Sequence, residues 1–206
     1  MNKRRYDSEY AKHEIMEKAS ILFSQKGYNQ TSVGDISKAS GYSKGHIYYH
    51  FQNKEKLFVR LAQNTINGWH SKWLQQESAY SSATKKLYGM AIHVLYNYQT
   101  PLLKAGQELA ANPNSSPESV KELHNLAVIP VGSYRAILQE GVDRGEFIAG
   151  DIETWTVLLG TWLGGLCQLT NHQDLSMLEP LFKEAIEIFL KSITKGGTEN
   201  ESGVSG

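Results

Sequence analysis

An all-α fold is predicted by three features of this 206-residue chain. Apolar residues recur at helical spacing in nearly every segment, as at Ile15, Ala19, Leu22 and Phe23; no run alternates apolar and polar residues as a half-buried strand would; and Gly, Pro, Ser and Asn fall where helix caps and turns need them. The first helix is expected over residues 8–25, ending at Gly27, after a polar basic arm over residues 1–8 that carries Lys3, Arg4 and Arg5. A helix of about two turns follows Thr31 or Ser32 as N-cap, with Val33, Ile36 and Ala39 on one face. Gly41 closes a tight turn and Ser43 caps a third helix over 44–50, whose buried stripe is Ile47 and Phe51. Asn53 caps a longer helix from Lys54 to about Gln76, bearing Leu57, Phe58, Leu61, Ile66, Trp69 and Trp73. Further helices are expected over 84–98, over 101–112, from 118 with a break or bend at Pro130 and onward to the Gly141–Gly150 region, over 152–170 and over 175–194. The tail over 195–206 is polar and rich in Gly and Ser, a composition that stays disordered.

Two short helices around a Gly-containing turn, supported by a first helix, make a three-helix helix-turn-helix domain over residues 1–53. The exposed side of its third helix carries Lys44, His46, Tyr48, Tyr49 and His50, with no acid from Ser43 through Asn53. Donors and aromatics of this kind suit phosphate oxygens and base edges. Gly45 costs roughly 1 kcal/mol of helix propensity relative to Ala, which points to a close approach by something outside the chain. Charge is distributed accordingly: residues 1–60 hold 11 Lys and Arg against 6 Asp and Glu, residues 61–206 hold 10 against 15, and the total is zero. A basic N-terminal part on an acidic body suits a polyanion at one end only.

The segment from Ile15 to Phe58, and within it T-S-V-x-x-I-x-x-x-x-G-Y-S-K-G-x-I-Y-Y-H-F-x-N-K-E-x-L-F, closely resembles the DNA-binding domain of TetR-family transcriptional repressors. The resemblance covers about a quarter of the chain without gaps. It implies a homodimer on a palindromic double-stranded operator, and a C-terminal helical domain, residues 54–194, that binds a small inducer and dimerises. Carried over residue by residue, it puts Lys44 and Gly45 in the major groove and Tyr48, Tyr49, His50 and Lys54 on phosphates. Thr31, Ser32 and Ser43 are expected to donate to phosphate or to cap, and His46 falls at a variable position suited to base reading. The register followed by two tryptophans four apart looks like the multidrug-binding branch, in which lipophilic cations stack on aromatics near acids. On that basis the ligand set is Trp69, Trp73, Tyr96, Gln107, Glu108, Tyr134 and Trp162. Ala127, Val128, Ile129 and Pro130 depart from that branch by offering neither acid nor aromatic, and a neutral or fatty-acyl inducer is the alternative, as is activation in place of repression.

The last two long helices carry more apolar surface than one intramolecular contact needs, so a four-helix dimer interface is expected, with Trp155, Leu159, Leu163, Phe182, Ile186 and Phe189 in it. No G-x-S-x-G, H-E-x-x-H, Gly-rich phosphate loop or spaced Cys and His set occurs, so neither an enzyme, a cofactor nor a metal is expected. No apolar run is long enough for a membrane span or a signal peptide, which places the protein in the cytoplasm, and the single Cys167 among apolar neighbours reads as a buried inert thiol.

Overall fold

The computed structural model describes residues 3–98, 100–171 and 174–195, and these are helical with no strand among them. The helices are α1 (Lys3–Lys26), α2 (Val33–Ser40), α3 (Lys44–Phe51), α4 (Lys54–Glu77), α5 (Ala83–Asn97), α6 (Thr100–Ala111), α7 (Pro117–Leu126), α8 (Val128–Asp143), α9 (Ile152–Leu166) and α10 (Leu175–Ile193), with a 3₁₀ turn, Cys167–Asn171, after α9. The expected tail beyond Lys195 lies outside the described residues. The basic arm expected before residue 8 is instead helical from Lys3, because nothing between Lys3 and Ile15 breaks α1. Pro130 does not interrupt a helix: the chain breaks at Ala127, and Pro130 sits in the first turn of α8, where an N–H would have no intrahelical partner.

Two compact units divide the chain, one taking residues up to Asn67 with those from 100 to Ala127, the other Gly68–Tyr98 with those from Val128 onward. This partition differs from one at residue 53. Helices α1 to α3 bury too little to stand alone, and the first unit adds Leu57, Phe58 and Leu61 of α4 and Leu102, Ala105 and Leu109 of α6 to the core built on Ile15, Ala19, Phe23, Ile36, Ile47 and Phe51. Phe58 meets Phe23 edge-on at 5.0 Å and Tyr28 at 5.5 Å between ring centroids. The Glu55 carboxylate accepts from the Ser116 amide and hydroxyl at the start of α7, and Lys56 pairs with Glu118 and Glu122.

The second unit has its own core of Trp69, Trp73, Leu87, Met90, Leu95, Ile137, Leu138, Phe147, Leu159, Leu163, Phe182, Ile186 and Phe189. Its α5 is capped twice: Ser82 accepts from Lys85, and the Glu146 carboxylate accepts from the amides of Ala83 and Thr84 at 3.0 Å each. Gly141 lies against the Phe147 ring, where a β-carbon would come within 2.0 Å of it, so close packing requires glycine there.

Candidate nucleic-acid interface and ligand cavity

Ser32 and Ser43 are the N-caps of α2 and α3. Ser32 forms a capping box with Asp35, its Oγ also donating to Asp35 Oδ2 at 2.6 Å, and this holds the Asp35 carboxyl below its ordinary pKa. Ser43 Oγ accepts from the His46 amide at 3.2 Å. Gly41, at φ +77°, ends α2 in the left-handed conformation and turns the chain into α3. Ile47 and Phe51 anchor α3 from below. Lys44, Gly45 and His46 are left exposed on its other side, with Tyr48 at 47% and Tyr49 at 80% exposure, and His50 is half-buried. A β-carbon on Gly45 would meet only Ser43 Oγ, at 3.9 Å, so neither backbone conformation nor internal space requires glycine at this position.

Two of the residues expected at phosphate make their side-chain hydrogen bonds within the chain. The Thr31 side chain is buried and its hydroxyl donates to the Gly27 and Leu22 carbonyls, sealing the turn after α1. The Lys54 ammonium is turned inward, donating to the Tyr28 and Thr31 carbonyls at 2.9 and 3.0 Å and lying 3.9 Å over the Tyr28 ring. Burial lowers its pKa, an effect opposed by Glu108 and Glu55. Both groups fasten the turn between α1 and α2.

The expected ligand residues do not form one group. Trp69, Trp73 and Tyr134 are in the core of the second unit. Tyr96 is 46% exposed and donates to Glu179 Oε1, while Trp162, at 38%, lies on the outer side of α9. Gln107 is exposed on α6 in the first unit, where Glu108 accepts from the Asn29 amide at 2.9 Å and fills the space beside Gly27. Glu108 is thus a brace of the turn between α1 and α2.

Beside Trp69 the structure assembles a polar group around the buried His93 that periodicity does not reveal. His93 Nε2 faces the Trp69 carbonyl at 3.1 Å, while Nδ1 lies 3.1 Å from the Gln76 amide nitrogen and 3.3 Å from that of Asn97. These partners select the neutral tautomer, with Nε2 donating and Nδ1 accepting. Burial pushes the His93 pKa down against the opposing hydrogen bond to Trp69. Among the described residues the Trp69 indole N–H has no acceptor, although a buried donor left unpaired costs about 1–3 kcal/mol. Also on α4, His70, Trp73, Leu74 and Glu77 meet Val128, Ile129, Gly132, Ser133 and Ala136 of α8 around an open cavity of about 290 Å³. Glu77, the carboxylate at its wall, pairs with Lys86 at 3.1 Å.

Because the folded pKa of His93 lies below the unfolded one, an unfolded chain takes up the proton first as pH falls. Stability contributed by neutral His93 is present above about pH 6.5 and is lost as pH drops from there through the folded pKa. The urea midpoint is expected to fall between pH 7 and 5, and to fall less in His93→Gln; identical pH slopes for the two proteins would remove His93 as the cause. His50, also lowered, titrates in the same window and remains in both.

The six residues expected at a dimer interface pack against the core of the second unit within one chain. Leu159, Leu163, Phe182, Ile186 and Phe189 are at most 4% exposed within a single chain, and Trp155 is partly buried against the same core. The exposed apolar residues of α9 and α10 are others: Val157 (62%), Leu158 (55%) and Trp162 on α9, and Met177 (76%), Leu181 (41%) and Ile188 (47%) on α10.

Residues 15–61 match the model of the tetR family of bacterial regulatory proteins, and residues 65–195 match that of the QacR-like protein C-terminal region. The chain belongs to the TetR family. This TetR-family chain is 29% identical to the HTH-type transcriptional regulator QacR of Staphylococcus aureus over 194 residues, covering 89% of this chain and 98% of QacR. It is 28% identical to IcaR of Staphylococcus epidermidis, a negative transcriptional regulator of the biofilm operon icaADBC, over 70% of this chain and 81% of IcaR. In structure it is similar to FadR of Bacillus subtilis, solved with stearoyl-CoA, at a TM-score of 0.73 and 19% identity, covering 89% and 98% of the two chains. At that identity the likeness concerns the fold alone. A TetR-type transcriptional regulator, QacR-like in its C-terminal region, accounts for the helix-turn-helix unit and the helical second unit alike, and none of its described helices is long and apolar enough to cross a membrane.

Proposed function

We propose that this protein is a homodimeric repressor that reads a palindromic operator with α3 and is released by a lipophilic ligand held in the second unit. The observation that carries the reading is the outer side of α3: two exposed tyrosines, Lys44, and a glycine that the fold does not require. Lys44 and His46 are assigned to base edges, Gly45 to close approach, and Tyr48, Tyr49 and His50 to phosphates; Ser32 and Ser43 add donors while they cap. Two copies joined through the exposed apolar sides of α9 and α10 place their recognition helices about one DNA turn, roughly 34 Å, or more apart.

The ligand site we assign is the cavity between α4 and α8, together with His93, whose ring meets the wall residue Trp73, and Trp69, whose ring meets His93. Its walls are apolar and aromatic, an incoming acceptor would satisfy the Trp69 N–H, and Glu77 is the carboxylate a cationic ligand would meet in exchange for Lys86. The QacR-like match over residues 65–195 supports a drug-like inducer. Release requires tighter binding to the arrangement that does not fit DNA, and α4, which contributes to both units, is the element we assign to that bias.

Selection of bound DNA from a random pool, followed by titration of the winning site at several salt concentrations, tests the reading. A two-fold symmetric site with a steep salt dependence is expected. Lys44→Ala is expected to lose about 1–3 kcal/mol of discrimination at one base pair per half-site. The absence of an enriched site would overturn the DNA assignment. Trp69→Phe, which keeps the ring and removes the N–H, is expected to weaken a polar inducer by about 1 kcal/mol with DNA affinity unchanged. Unaltered affinity for every releasing compound would remove Trp69 from the site.

A further inference from the structure

His46 and His50 stand four apart on α3, and their Nε2 atoms face each other at 3.1 Å. Two neutral imidazoles in this arrangement can share one proton, but two lone pairs converging on one point also form a chelate. With metal–nitrogen bonds of about 2.0–2.1 Å, a nitrogen separation of 3.1 Å corresponds to an angle of roughly 98° at the ion, between octahedral and tetrahedral values. We infer that His46 and His50 form a two-imidazole site for a divalent transition-metal ion of the zinc class on the outer side of the recognition helix.

The rings are held ready for this. Tyr42 stacks on His46 at 5.1 Å and an interplanar angle of 21°, and Tyr49 meets His50 edge-on at 5.1 Å. Neither imidazole therefore has to lose much freedom on binding. Binding requires both Nε2 lone pairs, so the proton of the donating ring moves to its Nδ1 through solvent, and the ion takes the place of the shared hydrogen. Both rings must be neutral. The remaining coordination positions go to water, so affinity is set by two ligands.

The consequence for regulation rests on the proposed DNA reading: an ion with its waters occupies the space a base edge or phosphate needs, so bound metal and bound operator exclude each other. The test uses tag-free, chelator-treated full chain titrated with Zn2+ by calorimetry. Wild type is expected to bind one ion per chain, with His46→Gln and His50→Gln each weakening it by more than the roughly 10–100-fold that losing a merely orienting partner costs. The exposed group His13, Glu14 and Glu17 on α1 is the competing location, so His13→Gln is expected to leave affinity unchanged. Undiminished Zn2+ affinity in the His46 and His50 variants, or loss in the His13 variant, overturns the site. Zn2+ is further expected to reduce retention on the selected DNA, and EDTA to restore it; unchanged retention at saturating Zn2+ overturns the exclusion. Failure of the DNA reading itself looks different: the metal-free chain would retain no DNA while the Zn2+ stoichiometry and its dependence on the two histidines persist.

Discussion

Replacing Leu158 with Asp is expected to convert the proposed dimer to folded monomers, whereas replacing its neighbour Leu159 with Ala is expected to unfold the second unit more easily and leave association in place. Leu158 is 55% exposed and Leu159 1%. In a two-fold interface the substitution acts on both copies, and two unpaired carboxylates against apolar surface cost at least about 3 kcal/mol, or roughly a 100-fold weaker dimer. DNA affinity falls with it, since one recognition helix alone reads half a site. At Leu159 the loss is the packing of a core side chain, about 2–5 kcal/mol depending on how far the cavity collapses. Sedimentation and thermal melting separate the two effects. If Leu158→Asp stays dimeric at micromolar concentration, association does not use the outer side of α9.

Lys54→Met is expected to lower the melting temperature while leaving the salt dependence of DNA binding unchanged. Its ammonium holds the Tyr28 and Thr31 carbonyls, the residues that carry the chain from α1 into α2. Loss of charged hydrogen bonds at a half-buried position is expected to cost about 1–3 kcal/mol, since methionine fills the stem's space and leaves two carbonyls without their donor. A phosphate contact behaves otherwise: each one lost reduces the slope of log affinity against log salt by about 0.9, and a dimer would lose two. Tyr49→Phe serves as the comparison, removing an exposed hydroxyl with little effect on stability. A slope reduced by nearly two units in Lys54→Met, with an unchanged melting temperature, would return Lys54 to the DNA backbone.

Much of this protein was legible in one dimension because its information is local. Caps at Ser32 and Ser43, the left-handed Gly41 and the Ile47–Phe51 stripe are set by residues within a few positions of one another, and the acid-free side of α3 follows from the same spacing. The break before Pro130 was misplaced for a related reason, since a proline belongs equally to the end of one helix and to the first turn of the next.

Direction and partnership are different in kind. Helices α9 and α10 are apolar on two sides, and periodicity names both stripes without saying which faces the chain's own core; packing turned Leu159, Phe182 and Ile186 inward and left Val157, Leu158 and Leu181 outside. Long charged side chains are equally ambiguous. Lys54 reads as a phosphate donor and Glu108 as a ligand's counter-charge until the fold brings Tyr28, Thr31 and Asn29 beside them, far away in sequence. The sequence by itself determined the family and the helices, because these depend on short-range spacing. Only the tertiary structure decided which side chains remain free to bind anything, because a hydrogen bond or a buried contact made within the chain removes a group from the surface, and such contacts join residues that no local pattern relates.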